Sequence, residues 1–203
     1  MGRKADTTWW TASWNPVVGC TKVSPGCDHC WAERQAKRWG QQWGKVVLHP
    51  ERLEAPLHWR RPRMVAVCLM GDLFHEDVPN WFLAHVFARM LQAHRHTYIV
   101  LTKRPDRMRR WISTALHPCP PHIRLGVSAE DQKRADERIP ILLQIPAALH
   151  WVSLEPLLSP INLIDYTPDP SNCDLSQWIR WCVVGAETGP GKRPMYLQWA
   201  RSL

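Results

Sequence analysis

The sequence predicts a single α/β domain over residues 1–203, built on a parallel sheet that is open or curled into a partial barrel. Three observations predict it. Short apolar runs alternate with amphipathic helical segments from residue 65 to residue 185. Those runs lack polar alternation, as strands of a helix-covered parallel sheet do. Polar residues recur where each run stops, which is where functional groups gather in either form of such a sheet. With 203 residues, 45% of them hydrophobic, the chain is long enough for one core and too apolar for disorder.

Each element follows from local pattern. Residues 1–19 are irregular and rich in tryptophan, and Trp14–Gly19 is short and apolar enough for a first strand. Residues 20–30 form a cysteine loop. Residues 31–39 read as a helix stopped by Gly40. Residues 41–63, with prolines at 50, 56 and 62, read as an irregular excursion.

Val65–Met70 is a buried strand ending at Gly71-Asp72. Asn80 caps a helix over 81–94, whose Phe82, Leu83, Val86, Phe87, Met90 and Leu91 keep helical spacing. Tyr98–Thr102 is the next strand, ending at Lys103-Arg104-Pro105, and a helix opened by Asp106 follows. Ile123–Ser128 ends at Ala129-Glu130-Asp131. Over 131–145 a helix is broken, or a second one opened, by Pro140. His150–Leu154 ends at Glu155-Pro156. A loop covers 156–176, and Ile179–Gly185 is the last strand, ending at Ala186-Glu187-Thr188-Gly189. The tail from Met195 begins a helix. Strand, helix, strand, repeated, means right-handed parallel crossovers.

The net charge is +8 and the pI about 9.4, which favours polyanionic partners such as nucleic acid. Thirteen tryptophans are many for this length, and Trp9, Trp10 and Trp14 can cover core or stack on bases. No apolar run is long enough to span a bilayer and no signal core opens the chain, so a cytoplasmic location with no membrane contact is expected. Cysteines stay reduced there, and seven is an odd number for a disulfide framework. Cys68 and Cys182 fall in apolar runs and read as core.

Cys20, Cys27 and Cys30 are spaced C-x6-C-x2-C around Ser24-Pro25-Gly26, a sequence that can curl three sulfurs toward one point. Soft thiolates suit zinc and iron–sulfur alike. A structural zinc needs a fourth ligand, for which His29, His49 and His58 are the nearest candidates. Three thiolates on a cluster leave one iron open to a chelating amine and carboxylate. The polar strand ends add Gly71, Asp72, Lys103, Arg104, Ser128, Glu130, Glu155 and Glu187. Asp72 has a second reading as a turn cap, Glu130 and Asp131 as charges at a helix N-terminus, and Lys103-Arg104 as a solvated loop.

The three-cysteine loop, the aromatic Trp31 after it and the strand–helix alternation resemble the radical S-adenosylmethionine (SAM) superfamily. The first gap is longer than that superfamily's usual C-x3-C-x2-C. The phrases from Trp14 to Cys27, Asp72–Glu76, Leu101–Pro105, Ser153–Leu158 and Gly185–Pro190 are similar to a phage gene-product family treated as radical-SAM-like. Members of that family continue past this end with a further helix and strand, so the resemblance implies a copy shortened at its C-terminus.

The resemblance implies a partial (β/α) barrel, a [4Fe-4S] cluster on Cys20, Cys27 and Cys30, and SAM as a second cofactor. It sets Gly71 and Asp72 at the SAM amino group and Ser128 and Glu130 near the ribose hydroxyls. It turns Glu155 and Glu187 toward the cavity, and gives Lys103 and Arg104 a carboxylate or phosphate to bind. The implied function is an enzyme that cleaves SAM to a 5′-deoxyadenosyl radical, fed by an external electron donor. Its substrate is not written in the chain; nucleic acid or a nucleotide suits the basic surface. The alternatives are a non-catalytic nucleic-acid-binding protein with a structural zinc or iron–sulfur site, and a copy that keeps the fold without turnover. The acids at the strand ends disfavour the binding module, since they repel phosphate.

Overall fold

Runs without polar alternation do fold as strands, largely buried between residues 64 and 154 and half-buried throughout in the last, Trp181–Val184. The computed structural model describes residues 9–166 and 178–203. Its first strand, β1 (Ala12–Trp14), is followed by a small antiparallel pair, β2 (Val17–Val18) and β3 (Val47–Leu48), with α1 (Trp31–Arg38) between them. Then come α2 (Ala55–His58), β4 (Met64–Val67), α3 (Asn80–Gln92), β5 (Thr97–Thr102) and α4 (Pro105–Ala115). β6 (Ile123–Ser128), α5 (Gln132–Leu143), β7 (His150–Leu154), β8 (Trp181–Val184) and α6 (Leu197–Arg201) complete the described chain.

Six strands form one parallel sheet in the order β1-β4-β5-β6-β7-β8. The order never reverses, so successive crossovers of one hand lay their helices on one face. Val65, Val67, Tyr98, Val100, Leu125, Val127, Val152 and Leu154 share that face and form one buried cluster with Phe82, Val86 and Met90 of α3, Met108 and Ile112 of α4, and Ala135, Ile139 and Leu142 of α5. Each large apolar side chain buried there contributes roughly 1.5–3 kcal/mol.

The opposite face is organised by register. Leu101, Gly126, Trp151 and Trp181 lie in one row across β5 to β8. Trp151 and Trp181 stack with centroids 4.8 Å apart, and Trp9 packs edge-on against both. A Cβ at Gly126 would lie 2.4 Å from the Trp151 ring, so only glycine lets the indole lie against the sheet. One step toward the strand ends, Ser128, Ser153 and Val183 form the next row. Lys103, Glu130 and Glu155 continue it beyond the strands.

Several expectations need correction. Trp14–Gly19 is not one strand: Pro16 has no N–H for a ladder, and the chain splits there into β1 of the main sheet and β2 of the small pair. The strand expected over Val65–Met70 stops at Val67, because Cys68 turns the backbone to φ +57. Residues 41–63 are not wholly irregular, since they hold β3, a 3-10 turn at Pro50–Arg52 and α2. α3 is capped by Pro79 rather than Asn80, and α4 opens on Pro105, one residue before Asp106.

Pro140 does not break α5, which runs through it to Leu143. Pro140 is exposed, so the one missing helical bond falls on the solvent side. Cys68 is buried, but Cys182 is only half-buried; Cys173 and much of the 156–176 loop lie outside the described residues. Among the described residues no helix is long and apolar enough to cross a membrane.

Candidate functional site

The cysteine loop crosses the carboxyl ends of the strands. It is started by a bridge between Gly19 and Gly71, where Gly19 N donates to Met70 O at 2.8 Å. Ser24-Pro25-Gly26 turns it through a single 3-10 turn, Pro25–Cys27. α1 begins at Trp31, immediately after Cys30.

Three groups at three strand ends clasp the loop. After β5, Arg104 Nη1 lies 3.5 Å from Cys20 Sγ, and Arg104 Nη2 donates to Thr21 Oγ1 at 2.9 Å. After β6, Gly26 N donates to Glu130 Oε1 at 3.1 Å. A Cβ on Gly26 would come within 3.0 Å of that carboxyl group, so glycine is what permits the approach. After β8, Glu187 Oε2 lies 3.0 Å from His29 Nδ1. Arg193 locks this last clasp by bonding Glu187, Pro25 O and Asp28 Oδ2.

The sequence-derived candidates divide by what already holds them. Asp72 is buried, and both its oxygens have protein donors. Oδ1 accepts from Phe74 N and Thr102 Oγ1, and Oδ2 from Lys103 N and Arg104 Nη1. Its turn-cap reading is thus what the contacts give. Arg104 is equally engaged, with Glu76 as a second carboxylate partner at 2.9 Å. Burial works against its charge, but Asp72, Cys20 and Glu76 outweigh that and raise its pKa.

Glu130 is fully buried and paired with Arg138 at 3.1 Å. Burial pushes its carboxyl up, yet the surrounding Ser24, Arg138, Lys103 and the Gly26 N–H hold it below the usual range. Glu187 is held down to about 2, chiefly by hydrogen bonds from Arg193. Asp131, by contrast, caps α5 by accepting from Arg134 N at 2.8 Å.

The less engaged candidates cluster. Lys103 Nζ donates to Ser128 Oγ at 2.8 Å, and its charge acts on both Glu130 and Glu155. Glu155 is half-buried and accepts from Ser153 Oγ at 3.3 Å. Burial raises its pKa, with Ser153, Trp9 and Lys103 opposing. Lys103, Ser128 and Glu155 therefore present an ammonium, a hydroxyl and a carboxylate in one place, above the buried Glu130. Such a set can hold hydroxyls and a carboxylate of a polar ligand.

Sequence reasoning did not single out Thr21, His75, Arg138 or Arg193. His75 Nε2 lies 2.8 Å from Thr21 Oγ1 and fixes the start of the loop from below. Arg138 is two turns into α5, and helical spacing from Asp131 would have turned it back toward Glu130. Arg193 carried no signal, because its role depends on a loop fold that the sequence does not encode locally.

The cysteines are free thiols of intermediate exposure. Burial first, then Asp72, pushes the Cys20 thiol up to about 11, against the pull of Arg104. Cys27 is near enough to act on it as well. Among the described residues no three Cys, His, Asp or Glu side chains are gathered around a point that could hold a metal ion. What fits a soft metal is the donor chemistry, three reduced thiols on one clasped loop, rather than a ready-made cage.

A family model described as "Protein of unknown function (DUF5131)" matches residues 4–203. No curated protein and no solved structure matches the chain.

Proposed function

The chain belongs to this family of unknown function, and we propose that it is a radical SAM enzyme of partial-barrel type. The observation that carries the reading is the seating of the three-cysteine loop across the carboxyl rim of a parallel sheet, clasped by residues of three strand ends. Cys20, Cys27 and Cys30 would hold a [4Fe-4S] cluster. When bound, the cluster and SAM supply the hard chemistry, reductive cleavage of the sulfonium to a 5′-deoxyadenosyl radical with an electron from an external donor.

The protein's own part is binding, orientation and shielding. Lys103, Ser128 and Glu155 offer the polar contacts for the ribose and carboxylate of SAM, while Glu130 is held beneath them by Gly26 and Arg138. Asp72 and Arg104 act beneath them, holding the loop at Cys20 and Thr21 rather than reaching ligand. The row of Trp9, Trp151 and Trp181 shields the inner face from water. A reducing cytoplasm suits such thiols.

The test is anaerobic reconstitution with iron and sulfide, recording the charge-transfer absorption, then 5′-deoxyadenosine formed with SAM and dithionite. Both signals are expected from the wild type and neither from Cys27→Ala. Their absence from folded wild-type protein, or their survival in the variant, refutes the assignment.

A further inference from the structure

α1 follows Cys30 without a break, and Trp31, Arg34, Gln35 and Arg38 fall on one side of it by their i, i+3, i+4, i+7 spacing. That side does not pack into the core. With Thr188, from the segment after β8, these residues line a cleft of about 390 Å³. Arg34 Nη2 donates to Thr188 Oγ1 at 3.1 Å and so joins the two walls. Trp31 is 44% exposed and, among the described residues, meets no other ring. Among the described residues the Arg38 guanidinium has no hydrogen bond or ion pair. The neighbouring acids are neutralised in place, Glu33 by Lys37 at 2.7 Å and Glu187 by Arg193.

An unpartnered indole face with two guanidinium groups one and two turns away is the pairing that single-stranded nucleic acid needs. The ring takes a base and the arginines take the adjoining phosphates. A duplex keeps its bases stacked on one another and has none to offer Trp31. We propose that this cleft binds a single-stranded nucleic acid, with a base on Trp31 and phosphates on Arg34 and Arg38. A base on Trp31 sits one residue from Cys30, so the strand is delivered to the cysteine loop as substrate. This last clause rests on the radical SAM reading, while the binding itself does not.

The test is fluorescence anisotropy of the full chain with labelled oligonucleotides of about ten nucleotides, a length within known single-strand site sizes. Deoxyribose, ribose and duplex arms run over a range of salt. Both single-stranded arms are expected to bind more tightly than the duplex, and the better of the two names the sugar. Trp31→Ala is expected to weaken single-strand binding about tenfold with little change in salt dependence. Trp31→Phe, which keeps a ring, should recover most of it. Arg38→Ala should lower the logarithmic salt slope by about 0.7, the share of one phosphate contact.

Arg61→Ala, at the amino end of the sheet, serves as control and should bind as wild type. Equal binding by wild type and Trp31→Ala, duplex binding as tight as single-strand, or an equal loss in the Arg61 variant overturns the proposal. These readouts need neither SAM nor 5′-deoxyadenosine, so the cleft and the cofactor assignment can fail separately.

Discussion

Arg104 meets Asp72, Glu76, Thr21 and Cys20 with one guanidinium, and it is 7% exposed. Asp72 beside it is also buried, so removing the arginine strands a carboxylate in the interior. Breaking such a pair from one side costs about 3–5 kcal/mol, more than the pair itself contributes over apolar substitutes. Arg104→Met is expected to lose stability of that size in urea unfolding. The double variant Arg104→Met, Asp72→Asn should lose less than the sum of the two single changes, because no buried charge remains unpaired. At this scale the sequence was legible as to place but not as to partner. Asp72, Arg104, Glu130 and Glu187 all lie at the rim, as their strand-end positions implied. That Asp72 and Arg104 would satisfy each other follows from the pairing of β4 with β5, which no local pattern states.

Among the elements, α5 tests the sequence reading most directly. Helical periodicity over 131–145 was legible, and so was the hazard of Pro140. What was not legible was which side of the helix the proline would take, and that decided the outcome. Because Pro140 faces solvent, the helix tolerates the lost bond rather than breaking. Proline in a helix interior still costs up to about 3 kcal/mol relative to alanine. Pro140→Ala is therefore expected to stabilise the chain by about 1–3 kcal/mol, read as a higher urea midpoint with unchanged slope. Strand boundaries were less legible than strands for a related reason. Cys68 ends β4 through a left-handed backbone that its apolar surroundings conceal, and Asn15-Pro16 divides the Trp14–Gly19 run between two sheets.

For the whole molecule, three histidines set the response to acid. His75, His96 and His150 all have pKa values lowered from 6.5, each first of all by burial. His96 shows why: its Nδ1 accepts from Arg63 N at 3.2 Å while its Nε2 faces Pro56 O at 2.9 Å, so a second ring proton would break the first contact. A histidine that binds its proton more weakly when folded stabilises the fold above the unfolded pKa. That stability is lost as the pH falls through 6.5 toward the folded value. Thermal melts should thus be level above neutrality and should fall steadily below pH 6.5, before most carboxylates titrate. A flat profile across that interval would show that these rings take up protons freely in the folded chain.

The three clasps on the cysteine loop have a mechanical consequence. Their anchors follow β5, β6 and β8, so a pull on residues 20–30 is divided among separate parts of one hydrogen-bonded sheet. Cutting one mooring leaves two, and each strand bears part of any load applied at the sulfurs. The segment that looks like an appendage in the chain moves as a component of the framework.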